Sequence, residues 1–492
     1  MTSGGAAVVG AGPNGLAAAV TLARAGIPVT VFEAAETIGG GTRTQQFVRP
    51  GVLHDVCSAI HPMALATGFF RAFDLERRVN FVVPDASYAN PLDGVQSGDR
   101  AAIAYRDLAR TASELGRDGP AYARLYRPLL KHLEGVVDFA LGGSMLRWPR
   151  DPLAAILTAL RTVEQGTPLW NARFSEPAAP ALVSGVAAHS IGRMPALASA
   201  GVGLVLGALG HAHGWPVPVG GSRAITDALA ADLLVHGGRI ETAHPISDVR
   251  ELAAYRVKLF DTSARGLVRI AGSALPGRYR RALGRFRYGD GASKVDFVLD
   301  GPIPWADQRV AAAPTVHLGG SRADGAAAEL EVARGRHPST PYVLLVQAAG
   351  FDPERAPVRE GGAELTPIWS YTHVPQGSNV DVSQAVIAQI ERFAPGFRDR
   401  ILDVRVTTAA EFAGYNRNYV GGDFSAGAVT PRQLFARPVV AREPWRTPAA
   451  GIYLCSSSAS PGPGVHGLPG WYAARSALTH EYGLPDPDLG FH

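Results

Sequence analysis

The chain has 492 residues, 46% hydrophobic and 18% charged, with a formal net charge of +4; this fits two or three globular domains and excludes a disordered chain. Lysine is confined to Lys131, Lys258 and Lys294, so the basic residues are nearly all arginine, and no basic run with interleaved aromatics points to nucleic acid. Two cysteines, Cys57 and Cys455, argue against a disulfide framework and read as buried thiols in a reducing compartment. No Lys or Arg precedes Arg24, so the apolar start is not read as a secretion signal, and a cytoplasmic protein is expected.

The first predicted element is a buried parallel strand, Ala6 to Val9, followed by Gly10-Ala-Gly-Pro-Asn-Gly15 and a helix from Leu16 to Ala25 stopped by Gly26. A second strand, Val29 to Phe32, ends in Glu33, 18 residues beyond Gly15. In such a unit Gly10 allows the turn, Gly12 lets the backbone approach a pyrophosphate, and Gly15 lets helix and strand pack closely. Pro13 and Asn14 open the helix whose N-terminus faces the phosphates, and Glu33, beside Ala34, accepts hydrogen bonds from an adenosine ribose. An acid there disfavours a 2′-phosphate, so FAD or NAD fits better than NADP. A second glycine turn, Gly39-Gly-Gly-Thr-Arg-Thr44, suits a cofactor that extends past the pyrophosphate, which favours FAD, with Gly40, Gly41 and Arg43 as candidate contacts.

Residues 76–215 have a helical pattern, clearest from Leu125 to Leu141, and are expected to form a cap. Within them Pro195 to Gly210 is uncharged and rich in glycine, but its sixteen residues fall short of the roughly 20 that span a bilayer. A buried helix lining an apolar cavity is the expectation, with peripheral membrane contact as the alternative. Pro218 to Glu241 reads as a turn, a helix ended by Gly237-Gly238 and a strand, with a further short strand near Val249 whose backbone meets the adenine. Strand-like runs alternate with helices from 276 to 440, and Ala323 to Ala328 reads as a flexible loop.

Near the C-terminus, strand Ile452 to Cys455, a glycine and proline loop, and a helix near Tyr472 to Leu478 would aim amides and a helix N-terminus at the negative charge of a reduced flavin. Ser457, Gly464, Val465 and His466 are the candidate contacts. The loop holds its own G-x-G-x-x-G, Gly462 to Gly467, yet too little chain follows for a second nucleotide unit. One dinucleotide site closed by both ends of the chain is therefore expected. The domain reading is a discontinuous FAD-binding domain (1–75, 216–275 and 441–492), a helical cap (76–215) and a substrate-binding sheet domain (276–440).

These pieces, together with His54-Asp-Val-Cys-Ser-Ala-Ile-His-Pro62, Trp215 to Ser222, Lys294 to Trp305, Thr315 to Gly320, Tyr371 to Pro375 and Asn418 to Asp423, resemble the phytoene desaturase-like branch of the FAD-dependent oxidoreductases over nearly the whole chain. Within that branch the chain is more similar to bacterial phytoene dehydrogenase-related and pyridine nucleotide-disulfide oxidoreductase domain 2-like proteins than to the carotenoid enzymes proper. The resemblance implies an α/β fold with a Rossmann-type FAD domain of the glutathione reductase/amine oxidase superfamily and a mixed-sheet domain roofing the isoalloxazine. It also implies hydride transfer from carbon to the flavin. Many relatives carry Gly-Gly-Arg where this chain has Gly41, with Arg43 two residues later, which puts the pyrophosphate contact of Arg43 in question.

Hydride removal leaves a proton to be disposed of, and His61 and His466 are the histidines placed to relay it; each is alternatively a structural histidine bonding a backbone carbonyl. Asp55 and Asp423 read as residues that order loops or bond the ribityl chain, and His373 and Tyr419 as candidate cavity residues. Cys57 has no CxxC partner, which argues against a disulfide reductase, and no histidine group has the spacing of a metal site. Three functions follow: an FAD-dependent desaturase or dehydrogenase acting on a hydrophobic substrate and passing electrons to oxygen, a quinone or another acceptor; an amine (C–N) oxidase; and a non-catalytic lipid or protein escort. Aromatic walls beside the flavin would favour an amine, and a long aliphatic tunnel a lipid or polyene. The sequence assigns no oligomeric state.

Overall fold

A computed structural model describes residues 4–93, 101–356, 359–360 and 363–491. The alanine- and valine-rich run Ala6–Val9 forms β1, sealed on both faces, and leads through the glycine turn into helix α1 (Pro13–Arg24) and strand β2 (Val29–Phe32). The region expected to be a helical cap also holds strands, the longer ones being β3 (Ala86–Pro91) and β4 (Ala101–Tyr105), which join the mixed sheet. Then come α2 (Gly119–Lys131), α3 (Leu133–Leu141), α4 (Pro152–Gln165) and α5 (Leu197–Ala212), and the chain returns with α6 (Arg223–Val235), β5 (Arg239–Glu241) and β6 (Val257–Phe260). Further along come β7 (Gly291–Asp300), β8 (Thr315–Leu318), β9 (Val343–Val346), β10 (Ala363–Val374), α7 (Ser383–Glu391), β11 (Ile401–Thr407), α8 (Pro431–Phe435), β12 (Ile452–Leu454) and α9 (Leu468–Ala477), with other helices between them.

One sheet is wholly parallel, in the order β12-β6-β1-β2-β5, so its strands come from three separated stretches of sequence. Helices α1 and α9, from opposite ends of the chain, pack together on it at minimal distance: a Cβ on Gly470 would lie 1.8 Å from the Asn14 carbonyl oxygen, a position only glycine can fill. The second sheet is mixed, in the order β11-β7-β10-β9-β8-β3-β4, with Arg359–Glu360 pairing onto β10. Side chains alternate across it. Val316, Leu318, Val343, Leu345 and Ile368 pack with Val386 and Ile390 of α7, while Thr315, Leu344, Val346, Trp369 and Tyr371 point the other way, into a cavity.

Two expectations are corrected here, at Val249 and at Ala323 to Ala328, and the buried helix expected at 195–210 is present. The segment at Val249 is a short 3₁₀ turn, Val249–Leu252, started by a reciprocal Asp248–Glu251 capping pair; the strand comes later, as β6. Val249 lies in the core of the parallel-sheet unit, and Pro245, Ile246 and Ser247 line the cavity in its place. Ala323 to Ala328 is helical, within Arg322–Ala333, because Ser321 and Asp324 cap each other's backbone amides. The uncharged run at 195–210 is α5, with glycines because its neighbours come so close: a Cβ on Gly203 would meet Ala187 at 2.9 Å, and one on Gly207 the Tyr126 hydroxyl at 2.4 Å. Among the described residues no helix is long and apolar enough to cross a membrane.

Candidate functional site

A single cavity of about 1300 Å³ runs from the glycine turns to the inner face of the mixed sheet. It exceeds the roughly 300–1,000 Å³ of one small-molecule site, so it has room for a cofactor and a second molecule.

At its first end Gly10, Gly12, Pro13, Asn14, Glu33, Ala34, Gly40, Gly41 and Arg43 all form the wall. Gly15 lies beneath the turn, where an added Cβ would stand 2.1 Å from the Gly10 carbonyl oxygen. The N-cap residue of helix α1 is Gly12, which has no side chain to cap it, and the Gly15 amide of the first turn is taken by the Asp261 carboxylate. Glu33 is fixed at the end of β2: one oxygen accepts from Ala11 N–H at 2.8 Å, the other from Ala35 N–H at 2.9 Å and the Arg43 guanidinium at 3.4 Å. Arg43 also donates to Thr37 O at 2.6 Å and Tyr415 Oη at 3.0 Å, so it braces this turn as well as facing the cavity.

Asp261, just past β6, is a wall residue that the sequence analysis did not single out. Its Oδ2 accepts from Gly15 N–H at 2.9 Å. Burial raises this carboxyl to about 7, the Gly15 and Gly12 amides oppose the rise, and nearby Glu33 adds to it.

The C-terminal loop closes the same end. Ser457, Gly464 and Val465 line the cavity. The serine triplet is stitched inward: Ser456 Oγ donates to Thr262 O at 2.6 Å and Ser458 Oγ to Ala426 O at 2.6 Å. Arg437, fully buried, donates to Ser457 O at 2.7 Å and Ser425 O at 2.8 Å, tying the loop to the 425–427 turn. Asp423 fixes that turn from beneath by accepting from the Gly289, Ser425 and Gly427 amides. Asn14 reaches Ser457 Oγ at 3.5 Å, and its Oδ1 is buried with no partner among the described residues. A glycine-lined wall at a helix start, a fixed carboxylate and an orphaned acceptor fit a dinucleotide with hydroxyl and phosphate groups.

At the far end the wall is made of side chains: Ile60, His61, His189, Trp215, Leu344, Val346, Trp369, Tyr371 and Phe424, then α4 and α5 toward the mouth. Trp369 and Tyr371 meet edge-on at 5.2 Å, as do Tyr371 and Phe424 at 5.4 Å. The acidic side chains of the lining, Glu33 and Asp261, both belong to the glycine-turn end.

Two histidines of this chamber have their tautomers set from behind. Ser222 Oγ donates to Ser58 O at 2.7 Å, so the 2.8 Å contact with His61 requires His61 Nε2–H to donate and leaves Nδ1 as an acceptor. His189 Nε2 meets His317 Nε2 at 2.9 Å; His317 Nδ1 donates to Asn90 Oδ1 at 3.2 Å, so His189 Nε2 carries the shared proton and its Nδ1 is the acceptor. Burial lowers His61 to about 4 and His189 to about 3, keeping both neutral near pH 7. The floor under His61 is a buried ion network. Asp55 accepts from Thr44 Oγ1 at 2.6 Å, Ser222 N–H at 2.8 Å and Arg355 at 2.5 Å, and Lys294 donates to Asp55 O at 2.7 Å. Burial alone would raise the Asp55 carboxyl, but Arg355 and these hydrogen bonds hold it below the ordinary carboxylate value.

Of the remaining sequence candidates, His466 is sealed beneath the C-terminal loop, outside the cavity wall, where its Nδ1 accepts from Leu468 N–H at 3.2 Å. His373 is likewise enclosed behind the wall, bonded to Glu329 at 2.6 Å. Tyr419 does line the cavity, beside Gly41. Cys57 also lines it, but burial pushes its thiol up to about 11, against a reactive thiolate. His189 is a residue that the sequence analysis missed; its one signal was a lone histidine in a run of small apolar residues.

Residues 8–73 match the NAD(P)-binding Rossmann-like domain family. Over 96% of its length the chain is 25% identical to rat and 27% identical to mouse pyridine nucleotide-disulfide oxidoreductase domain-containing protein 2, covering 92% of each. The fold is shared with putrescine oxidase bound to putrescine (TM-score 0.58, 15% identity, 97% of this chain and 99% of that chain) and with cyclohexylamine oxidase from Brevibacterium oxydans (TM-score 0.56, 15% identity, 98% of this chain and 100% of that chain). It is shared too with an oxidoreductase from Methanosarcina mazei (TM-score 0.56, 14% identity, 96% of this chain and 99% of that chain).

Proposed function

We propose that this oxidoreductase binds FAD at the glycine-turn end of the cavity and dehydrogenates an apolar substrate held in the chamber, forming a C=C bond, as a phytoene desaturase-like enzyme of a specialised metabolism. The observation that carries this reading is the continuity of one 1300 Å³ cavity from Glu33 and the glycine turns to an aromatic and aliphatic chamber. When bound, FAD supplies a two-electron acceptor. Glu33 and the α1 N-terminus would hold its adenosine and phosphates, and Ser457 and the loop at Gly464 and Val465 its other half. The chamber walls hold the substrate and exclude water. The neutral Nδ1 of His61 or His189 accepts the proton that the substrate loses alongside its hydride. The electrons then pass to oxygen, a quinone or another acceptor.

A second reading, C–N oxidation, draws support from the edge-on Trp369–Tyr371 pair and the fold shared with two amine oxidases. Against a cationic amine, the chamber end offers no carboxylate among the cavity's lining residues. Anaerobic mixing with long-chain alkenes and polyenes in one series and arylalkyl amines in another tests the two. Bleaching of the flavin by the first series is expected. Bleaching by amines alone would transfer the reading to C–N oxidation, and a protein that binds no flavin would leave only the escort role.

A further inference from the structure

Helix α4 is apolar on both sides. Its inner side, with Ala154 and Thr158, is packed against α3 and α5, and its charged residues are Arg161 and Glu164. On the outer side Leu153, Ile156, Leu160 and Val163 recur at helical spacing and are 51%, 57%, 61% and 47% exposed. A helix with an apolar stripe on each of two opposite sides normally has cover on both. The turn before it adds Trp148, 81% exposed. Across from it, the segment from α8 onward adds Phe435 at 55% and Val440 at 65%, and the two segments are joined by Ser144 Oγ donating to Ala441 O at 2.7 Å.

This patch is the rim of the cavity. Val163, Leu197, Leu434 and Phe435 are exposed and also line it, so the apolar surface runs without a break from outside into the chamber. The rim's charge is one-sided. Asp138, Asp151 and Glu164 are each paired, with Arg147 at 2.8 Å, His132 at 2.9 Å and Arg161 at 2.8 Å. Arg432 and Arg442 are exposed and make no ion pair among the described residues.

We propose that this rim docks on an anionic lipid bilayer, with α4 lying in the interface, Trp148 and the arginines at headgroup level, and the cavity mouth facing the acyl chains. An exposed indole beside unpaired arginines on an apolar helix face is the side-chain set that such interfaces hold. A second copy fits less well: a two-fold contact on this patch would oppose arginine to arginine and seal the mouth. The inference goes beyond the proposed function and does not depend on it, since its readout is lipid binding.

The test is co-sedimentation of the full chain with phosphatidylcholine vesicles, with and without about 30% phosphatidylglycerol. The wild-type protein is expected to pellet with the anionic vesicles, less so with neutral ones and less so at high salt. I156E/L160E alters two side chains outside the cavity wall and should cut the bound fraction about tenfold. R432E/R442E should remove the preference for anionic lipid. Trp148→Ala, a plain surface truncation, should weaken binding too and covers the case in which the double variant misfolds. Wild-type protein left in the supernatant, undiminished binding by I156E/L160E, or no preference for anionic vesicles would overturn the proposal. So would a dimer in analytical ultracentrifugation that I156E/L160E dissociates, because the face would then belong to a second copy. A colourless protein that still binds vesicles would sink the proposed function and leave this inference standing.

Discussion

At the glycine-turn end the cavity wall is largely backbone: Gly10, Gly12, Gly40, Gly41 and Gly464, with Glu33 and Arg43 as fixed charged groups. At the chamber end it is side chain: Trp215, Leu344, Val346, Trp369 and Tyr371 on one flank and the aliphatic faces of α4 and α5 on the other. A backbone wall recognises what all dinucleotides share, and a single added methyl group ruins it. A side-chain wall recognises shape, and it tolerates exchange at the cost of specificity. The two ends should therefore fail differently when altered.

The largest effect is expected where the chain's two termini meet. Gly470→Ala, which pushes a methyl group into the Asn14 carbonyl, should destabilise by about 3 kcal/mol in urea unfolding, the upper part of the range for overpacking, and should lower cofactor content as well. Of His61→Gln and His189→Gln, the one that removes the proton acceptor should slow anaerobic flavin bleaching about 100-fold, the lower end for loss of a general base, while leaving cofactor content near wild type. Because burial holds His61 at about 4, the wild-type rate should show no histidine limb between pH 5.5 and 8.

The contrast between the ends also governed what could be read in advance. Strand, glycine turn, helix and Glu33 follow a fixed spacing because the backbone itself makes the contacts, so the nucleotide unit was legible from the first 33 residues. The chamber was not: Trp369 and Tyr371 of β10 become wall residues only because β10 pairs with β7 and β9, and His189 meets His317 across 128 residues of sequence. Arg437 and Asp261 were missed for a related reason. Each acts on a turn distant in sequence, Arg437 on the 425–427 turn and the serine loop, and Asp261 beneath Gly15. His466 illustrates the converse, since its motif lies at the cavity while its side chain turns away under the loop.

Smaller effects sharpen the comparison at the backbone end. Glu33→Gln keeps the shape but removes the charge, and should weaken flavin binding about tenfold in a fluorescence titration, as expected for one charge-assisted hydrogen bond. Asp261 gives a pH signature. Its carboxyl ionises near 3.8 when unfolded and near 7 when folded, so between those values the native state holds the extra proton and stability falls as pH rises through the window. Asp261→Asn should flatten this slope, measured as the urea midpoint of cofactor-free protein at pH 5 and pH 7. An equal slope in both proteins would remove Asp261 from the account.

The most direct test is the visible spectrum of the purified protein, with identification of the cofactor released by heat from the same sample. A yellow protein with the two-band absorption of oxidised flavin and about one FAD released per chain is the predicted result. A colourless protein that stays colourless after FAD is added would contradict the account, because the glycine-turn end would then have lost the ligand it is shaped to hold.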